Sequence, residues 1–88
     1  MKIKDGYIKV ASFDGWVITP VGEESEKNKI MITLNETAAE IWDMLKDGKT
    51  AHEAAAALSE KYGVSIEKAK ADVAKIVDPL IKEGILTE

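Results

Sequence analysis

His52 is the single histidine of an 88-residue chain that contains no cysteine. A transition-metal site would therefore have to rest on carboxylates, without the imidazole and thiolate ligands such metals favour. Disulfides and thiolate nucleophiles are excluded as well. Ser12, Ser25, Ser59 and Ser65 have no histidine placed by a recognisable motif to accept a proton, so no hydroxyl is primed for attack. The six glycines read as turns and helix stops rather than as a phosphate loop. Glu23, Glu24 and Glu26 crowd one short stretch, but the alternating ligand spacing of a calcium loop is missing. These residues predict no catalytic site, no metal site and no cofactor.

Charge narrows the partners. The net charge is −4 and the sequence pI near 5.0, whereas nucleic-acid affinity rests on cations that neutralise phosphates. Lys68, Lys70, Lys75 and Lys82 do gather late in the chain, but Glu67, Asp72, Asp78 and Glu83 are interleaved with them, and there is no arginine. A composition of 45% apolar and 32% charged residues suits one small globular domain. No apolar run is long enough to cross a membrane and no signal core precedes the domain, so a soluble, cytoplasmic chain is expected.

The periodicity divides the chain in two. Up to Leu34 apolar residues alternate with polar ones, as strands require; beyond it they recur every three or four, as helices require. Strands are predicted at about 7–13, 16–20 and 29–34. Tyr7, Ala11 and Phe13 share one side of the first, and Ile8 and Val10 the other. Asp14-Gly15 is the pair a two-residue type I′ turn favours, and Pro20 should weaken pairing or mark an edge. Val21 to Lys29 is expected to be a solvated, mobile hairpin tip.

Helices are predicted at about 36–47, 51–62 and 66–83. Asn35 caps the first, whose apolar face is Ala38, Ile41, Trp42 and Leu45. Thr50 and Glu53 form a capping box for the second, with Ala54, Leu58 and Tyr62 as its buried stripe. Ser65 caps the third. There Ala69, Val73, Ile76 and Leu80 make a core stripe, and Ala74, Val77 and Ile81 widen it on one flank beyond what a one-sided surface helix needs. That flank either covers the sheet or lines a groove beside the third strand. Pro79 interrupts the helix on its polar side, with Lys68, Asp72 and Lys75, and should kink it.

Leu34-Asn35-Glu36-Thr37-Ala38-Ala39-Glu40-Ile41-Trp42 resembles the signature segment of the PqqD-like family. Asp47-Gly48, Thr50 and Glu53, Leu58 with Tyr62, Asp72-Val73 and the closing Gly84-Ile85-Leu86 extend the likeness over nearly the whole chain. The resemblance is weak in the hairpin. The alanine-rich second helix, Pro79 and the long acidic tip depart from the family pattern, and Pro79 bears most directly on Ile81.

The resemblance implies an α+β, winged-helix-like fold, a three-stranded antiparallel sheet followed by three α-helices, spanning 1–88 as one peptide-recognition domain. It implies a non-catalytic adaptor that binds the leader segment of a ribosomally made precursor peptide and presents it to a modifying enzyme, often a radical S-adenosylmethionine enzyme. The leader would add as a strand to Lys29, Ile30, Met31, Ile32, Thr33 and Leu34. Strand addition takes affinity from backbone hydrogen bonds and selectivity from pockets for alternate side chains. Ala74, Val77 and Ile81 would supply the pocket, and Lys70 would face an acidic leader residue. A monomer or weak dimer is expected. Two other readings compete: a winged-helix nucleic-acid binder using the third helix and the Val21–Lys29 wing, and a module that self-associates through the free third-strand edge.

Overall fold

The alternating segment forms a meander and the 3.6-period segment forms helices stacked on it. The computed structural model describes residues 2–27 and 31–87. In chain order its elements are β1 (Lys2–Ile3), β2 (Tyr7–Ser12), β3 (Gly15–Pro20), α1 (Glu23–Lys27), β4 (Ile32–Leu34), α2 (Glu36–Lys46), α3 (Ala51–Tyr62), α4 (Ile66–Lys82) and β5 (Leu86–Thr87). Strands β2, β3 and β4 make the expected three-stranded antiparallel sheet with β3 in the centre, and the three long helices follow it. Lys29 and Ile30 of the predicted third strand lie outside the described residues.

One row of side chains on the sheet faces the helices. Tyr7, Ile18 and Leu34 from this row are buried with Ile41, Trp42 and Leu45 of α2 and Val73, Val77 and Leu80 of α4. On the opposite row Ile8, Val10 and Thr33 are exposed and Ser12, Val17 and Thr19 half-buried. Trp42 is 2% exposed, and burying a side chain of this size contributes on the order of 2–3 kcal/mol. Lys9 belongs to the inner row, where its ammonium lies 4.5 Å from the Trp16 ring centroid and donates to Asp43 Oδ2 at 2.7 Å. Lys46 Nζ donates to the Tyr7 carbonyl oxygen at 3.1 Å and ties α2 to β2.

The helix starts follow the sequence closely. Asn35 Oδ1 accepts from the Ala38 amide at 2.8 Å, and Ser65 Oγ accepts from the Lys68 amide at 3.2 Å. Thr50 and Glu53 complete the reciprocal capping box, with bonds of 3.1 and 3.0 Å. Hydrogen bonds to the Thr50 backbone and hydroxyl hold the Glu53 carboxyl below the usual carboxylate range.

Four expectations need correction. The first turn is Phe13-Asp14, not Asp14-Gly15: Gly15 pairs with Ser12 inside the ladder, and no described residue other than glycine has positive φ. Gly15 serves a close approach instead, since a β-carbon there would sit 2.6 Å from the Leu34 carbonyl oxygen. Phe13 accordingly leaves the Tyr7 row and is fully exposed. The predicted hairpin tip contains the short helix α1, held by Glu24, which bonds to Lys4 at 2.9 Å and accepts from the Tyr7 hydroxyl at 3.2 Å. Tyr62 is 46% exposed rather than buried, because its hydroxyl reaches Glu40 on α2 at 2.7 Å.

One feature has no counterpart in the sequence pattern. β1 and β5 pair antiparallel as Lys2↔Thr87 and Ile3↔Leu86, and Lys4 N–H donates to the Ile85 carbonyl at 2.7 Å. Ile3, Ile85 and Leu86 are thereby buried. No described helix is long and apolar enough to cross a membrane, and no group of three or more histidine, aspartate or glutamate residues suited to a metal occurs among the described residues.

Candidate functional site

The open edge of β4 is defined by which way its backbone groups point. Antiparallel partners alternate between pairs that exchange both hydrogen bonds and pairs that exchange none. Val21 N–H donates to Gly6 O at 2.7 Å, so the adjacent pair Tyr7↔Pro20 is of the second kind, as a proline without an N–H requires. Counting along the register, Val17 bonds to Val10 on β2, while Trp16 and Ile18 turn towards Leu34 and Ile32 on β4. Thr33, opposite Val17, is therefore the residue whose N–H and C=O both point away from β3. Among the described residues β4 has no second neighbour in the sheet, so these two groups face the open edge.

That edge borders α4 along a seam with two depressions of about 400 and 420 Å³. The first lies between Thr33 and Asn35 on one side and Lys68, Asp72 and Lys75 on the other, over Ala38, Ile41 and Ile76. In the second, Ile32 faces Asp78, Pro79, Lys82 and Glu83. α4 thus runs opposite to β4, its amino-terminal half beside Leu34 and its carboxyl-terminal half beside Ile32. Pro79 lies inside the helix and cannot donate to the Lys75 carbonyl.

The sequence-predicted residues divide between two surfaces. Met31, Ile32, Thr33 and Leu34 run along the seam's strand side, with Met31 and Thr33 exposed and Leu34 buried; Lys29 and Ile30 lie outside the described residues. Lys70, Ala74, Val77 and Ile81 line neither depression beside β4. They line a separate apolar cleft of about 340 Å³ with Val73, Asp78 and the start of α3 at Ala51 and His52. The division has a simple cause: a helical projection says which residues share a flank, but not which flank meets the sheet. The alanines of α3 let α4 come close on the Ala74 side, and Ala54 and Ala55 are completely buried there. The residues beside β4 include Lys68, Asp72, Lys75 and Pro79, the row read from the sequence as the polar side of the helix. Their shared i, i+4, i+7, i+11 spacing was the available signal.

No ion pair is found for Lys75 among the described residues, while Lys68 reaches Asp72 at 3.5 Å. Elsewhere, Lys61 and then the Tyr62 hydroxyl hold the Glu40 carboxyl below its usual range. These two contacts fasten α3 to α2 on the side of α2 that carries Glu40.

The chain is similar in fold to TbiB1 in complex with the TbiA(beta) leader peptide, with 22% identity, a TM-score of 0.75, and coverage of 98% of this chain and 94% of the other. It is also similar to lasso peptide synthetase B1 complexed with the leader peptide, with 26% identity, a TM-score of 0.74, and coverage of 98% and 95%. Among curated proteins no sequence matches. Residues 16–86 match PqqD, coenzyme PQQ synthesis protein D, and the chain belongs to that family.

Proposed function

We propose that this protein is a non-catalytic adaptor that takes the leader segment of a ribosomally made precursor peptide as an added strand on β4 and presents it to a modifying enzyme. The observation that carries the reading is Thr33, whose unpaired backbone donor and acceptor face outwards on the open sheet edge beside α4. An extended peptide can bond to that edge whatever its side chains, and alternate side chains then enter the seam over Ala38, Ile41 and Ile76. Membership of the PqqD family supports this reading, as do the leader peptides bound to both structural neighbours.

In this proposal the strand-side contacts are Met31 to Leu34, with Lys29 and Ile30 as their continuation. On α4 the contacts are Lys68, Asp72, Lys75, Ile76, Pro79 and Lys82, in place of Lys70, Ala74, Val77 and Ile81. The receiving enzyme is a separate catalytic unit, and a radical S-adenosylmethionine enzyme is the class the family resemblance implies.

The test is titration of the isotope-labelled protein with the leader half of its own precursor peptide. The amides of Met31 to Leu34 and of α4 from Lys68 to Lys82 are expected to shift together. A saturating leader that leaves the Thr33 amide unmoved would show that the edge is not the binding site. Self-association through the same edge makes a different prediction: a dimer in sedimentation that the leader fails to dissociate.

A further inference from the structure

The seam is electrically uneven along its length. At the Leu34 end, Lys68 and Lys75 stand against the single carboxylate of Asp72, which is already engaged by Lys68 at 3.5 Å. Lys75 is left as an exposed cation with no carboxylate within ion-pair distance among the described residues. At the Ile32 end the balance reverses: Asp78 and Glu83 stand against Lys82, and no ion pair joins them. The dipole of α4 adds to both ends, positive towards Ser65 and negative towards Glu83.

From this asymmetry we infer that the groove selects its peptide by charge order. This inference rests on the strand-addition reading of the same seam. A strand that continues the all-antiparallel sheet enters beside Leu34 with its amino-terminal part and leaves beside Ile32. The favoured ligand class is then an extended peptide with an acidic residue first, facing Lys75, and a basic residue after it, facing Asp78 and Glu83. Lys75 and Glu83 lie eight residues apart on the helix, about 12 Å at 1.5 Å per residue. On a strand rising about 3.4 Å per residue, same-face positions two to four residues apart cover the distance from Lys75 to Asp78 or Glu83. A peptide with the reverse order brings like charges together at both ends.

The test uses displayed libraries of nine-residue peptides, randomised at alternate positions and selected against two forms of the protein. One is the unaltered protein; the other carries K75E, D78K and E83K, all at exposed positions. The unaltered protein is expected to enrich acid-before-base peptides over base-before-acid peptides on the order of ten-fold, as two partly desolvated ion pairs allow. The triple variant is expected to reverse that preference. Selected peptides that shift the Thr33 amide but show no charge order, or the opposite order, overturn the inference and leave the groove reading intact. If no peptide is enriched, or if enriched peptides leave the Thr33 amide unmoved, the groove reading fails and the charge-order inference fails with it.

Discussion

Gly15 crosses Leu34 so closely that a β-carbon on it would lie 2.6 Å from the Leu34 carbonyl oxygen. The obstacle is backbone, and it belongs to the last residue of β4, so no side-chain rotation relieves it. Gly15→Ala must push β4 away from β3 or spread the hairpin, and overpacking of this kind costs about 1–3 kcal/mol. Each kcal/mol lowers the melting temperature of a domain this size by roughly 4–8 °C. Calorimetry is expected to show that loss, with the Thr33 and Leu34 amides displaced in the NMR spectrum. An unchanged melting temperature would mean that the junction yields freely.

Thr33 and Ile32 are neighbours, yet they should respond to proline in opposite ways. Ile32 pairs with Ile18, and its N–H belongs to the ladder with β3, whereas Thr33 turns its N–H to the open edge. Ile32→Pro removes a ladder bond and half-buried packing against the core, so a cooperative loss of sheet stability is expected. Thr33→Pro removes only the outward donor, the position where an edge strand tolerates proline. The Thr33 variant is expected to keep its circular dichroism spectrum and its melting temperature within a few degrees, while its leader affinity falls about five- to ten-fold, as loss of one hydrogen bond implies. If Thr33→Pro binds the leader as well as the unaltered protein, the peptide does not add to this edge.

Pro79 sits within α4 and leaves the Lys75 carbonyl without its helical donor. Pro79→Ala restores an N–H at that position, and proline is about 3 kcal/mol less favourable than alanine in a helix interior. The ring also lines the second depression with Ile32, and trimming it to a methyl group offsets part of the gain. A net stabilisation of about 1–2 kcal/mol is expected in urea titration, with the slope unchanged. A destabilised variant would show that the ring's packing outweighs the restored bond.

What could be read from the chain depended on how far apart the interacting residues lie. Asn35, Thr50 and Ser65 cap helices through amides three residues away, so residue type and spacing were enough. Alternation separated Tyr7 from Ile8 and Val10 but did not say which side is buried, because the inner row carries Lys9 and the exposed one Ile8 and Val10. By contrast, Ile3 reaches Leu86 from the other end of the chain through two-residue strands with no pattern. The α1 helix depends on Glu24 meeting Lys4 and Tyr7, a contact that local sequence does not encode. On α4, the two flanks of the Val73–Leu80 stripe are equivalent in projection. Only the approach of α3 assigns Ala74 and Ile81 to one side and Lys68 and Lys75 to the other.

The Glu24 clamp should make α1 sensitive to acid. The Lys4 ammonium, and after it the Tyr7 hydroxyl, hold the Glu24 carboxyl below the usual range, while Glu24 raises the Lys4 pKa above its usual value. A carboxyl with a lowered folded pKa contributes stability that is present above its unfolded value and lost as pH falls through the folded one. The Lys4 contribution has the opposite sign: it is present below the ordinary lysine value and disappears as pH rises through the raised one. Both therefore hold across the neutral range, and only the carboxyl edge lies within ordinary acid conditions. Lowering the pH from about 6 to about 3 should release α1 from β2 while the rest of the fold persists. The amides of Glu23 to Lys27 are expected to move together along that titration and to remain still in the Glu24→Gln variant. If the same acid transition appears in Glu24→Gln, another group holds α1 in place.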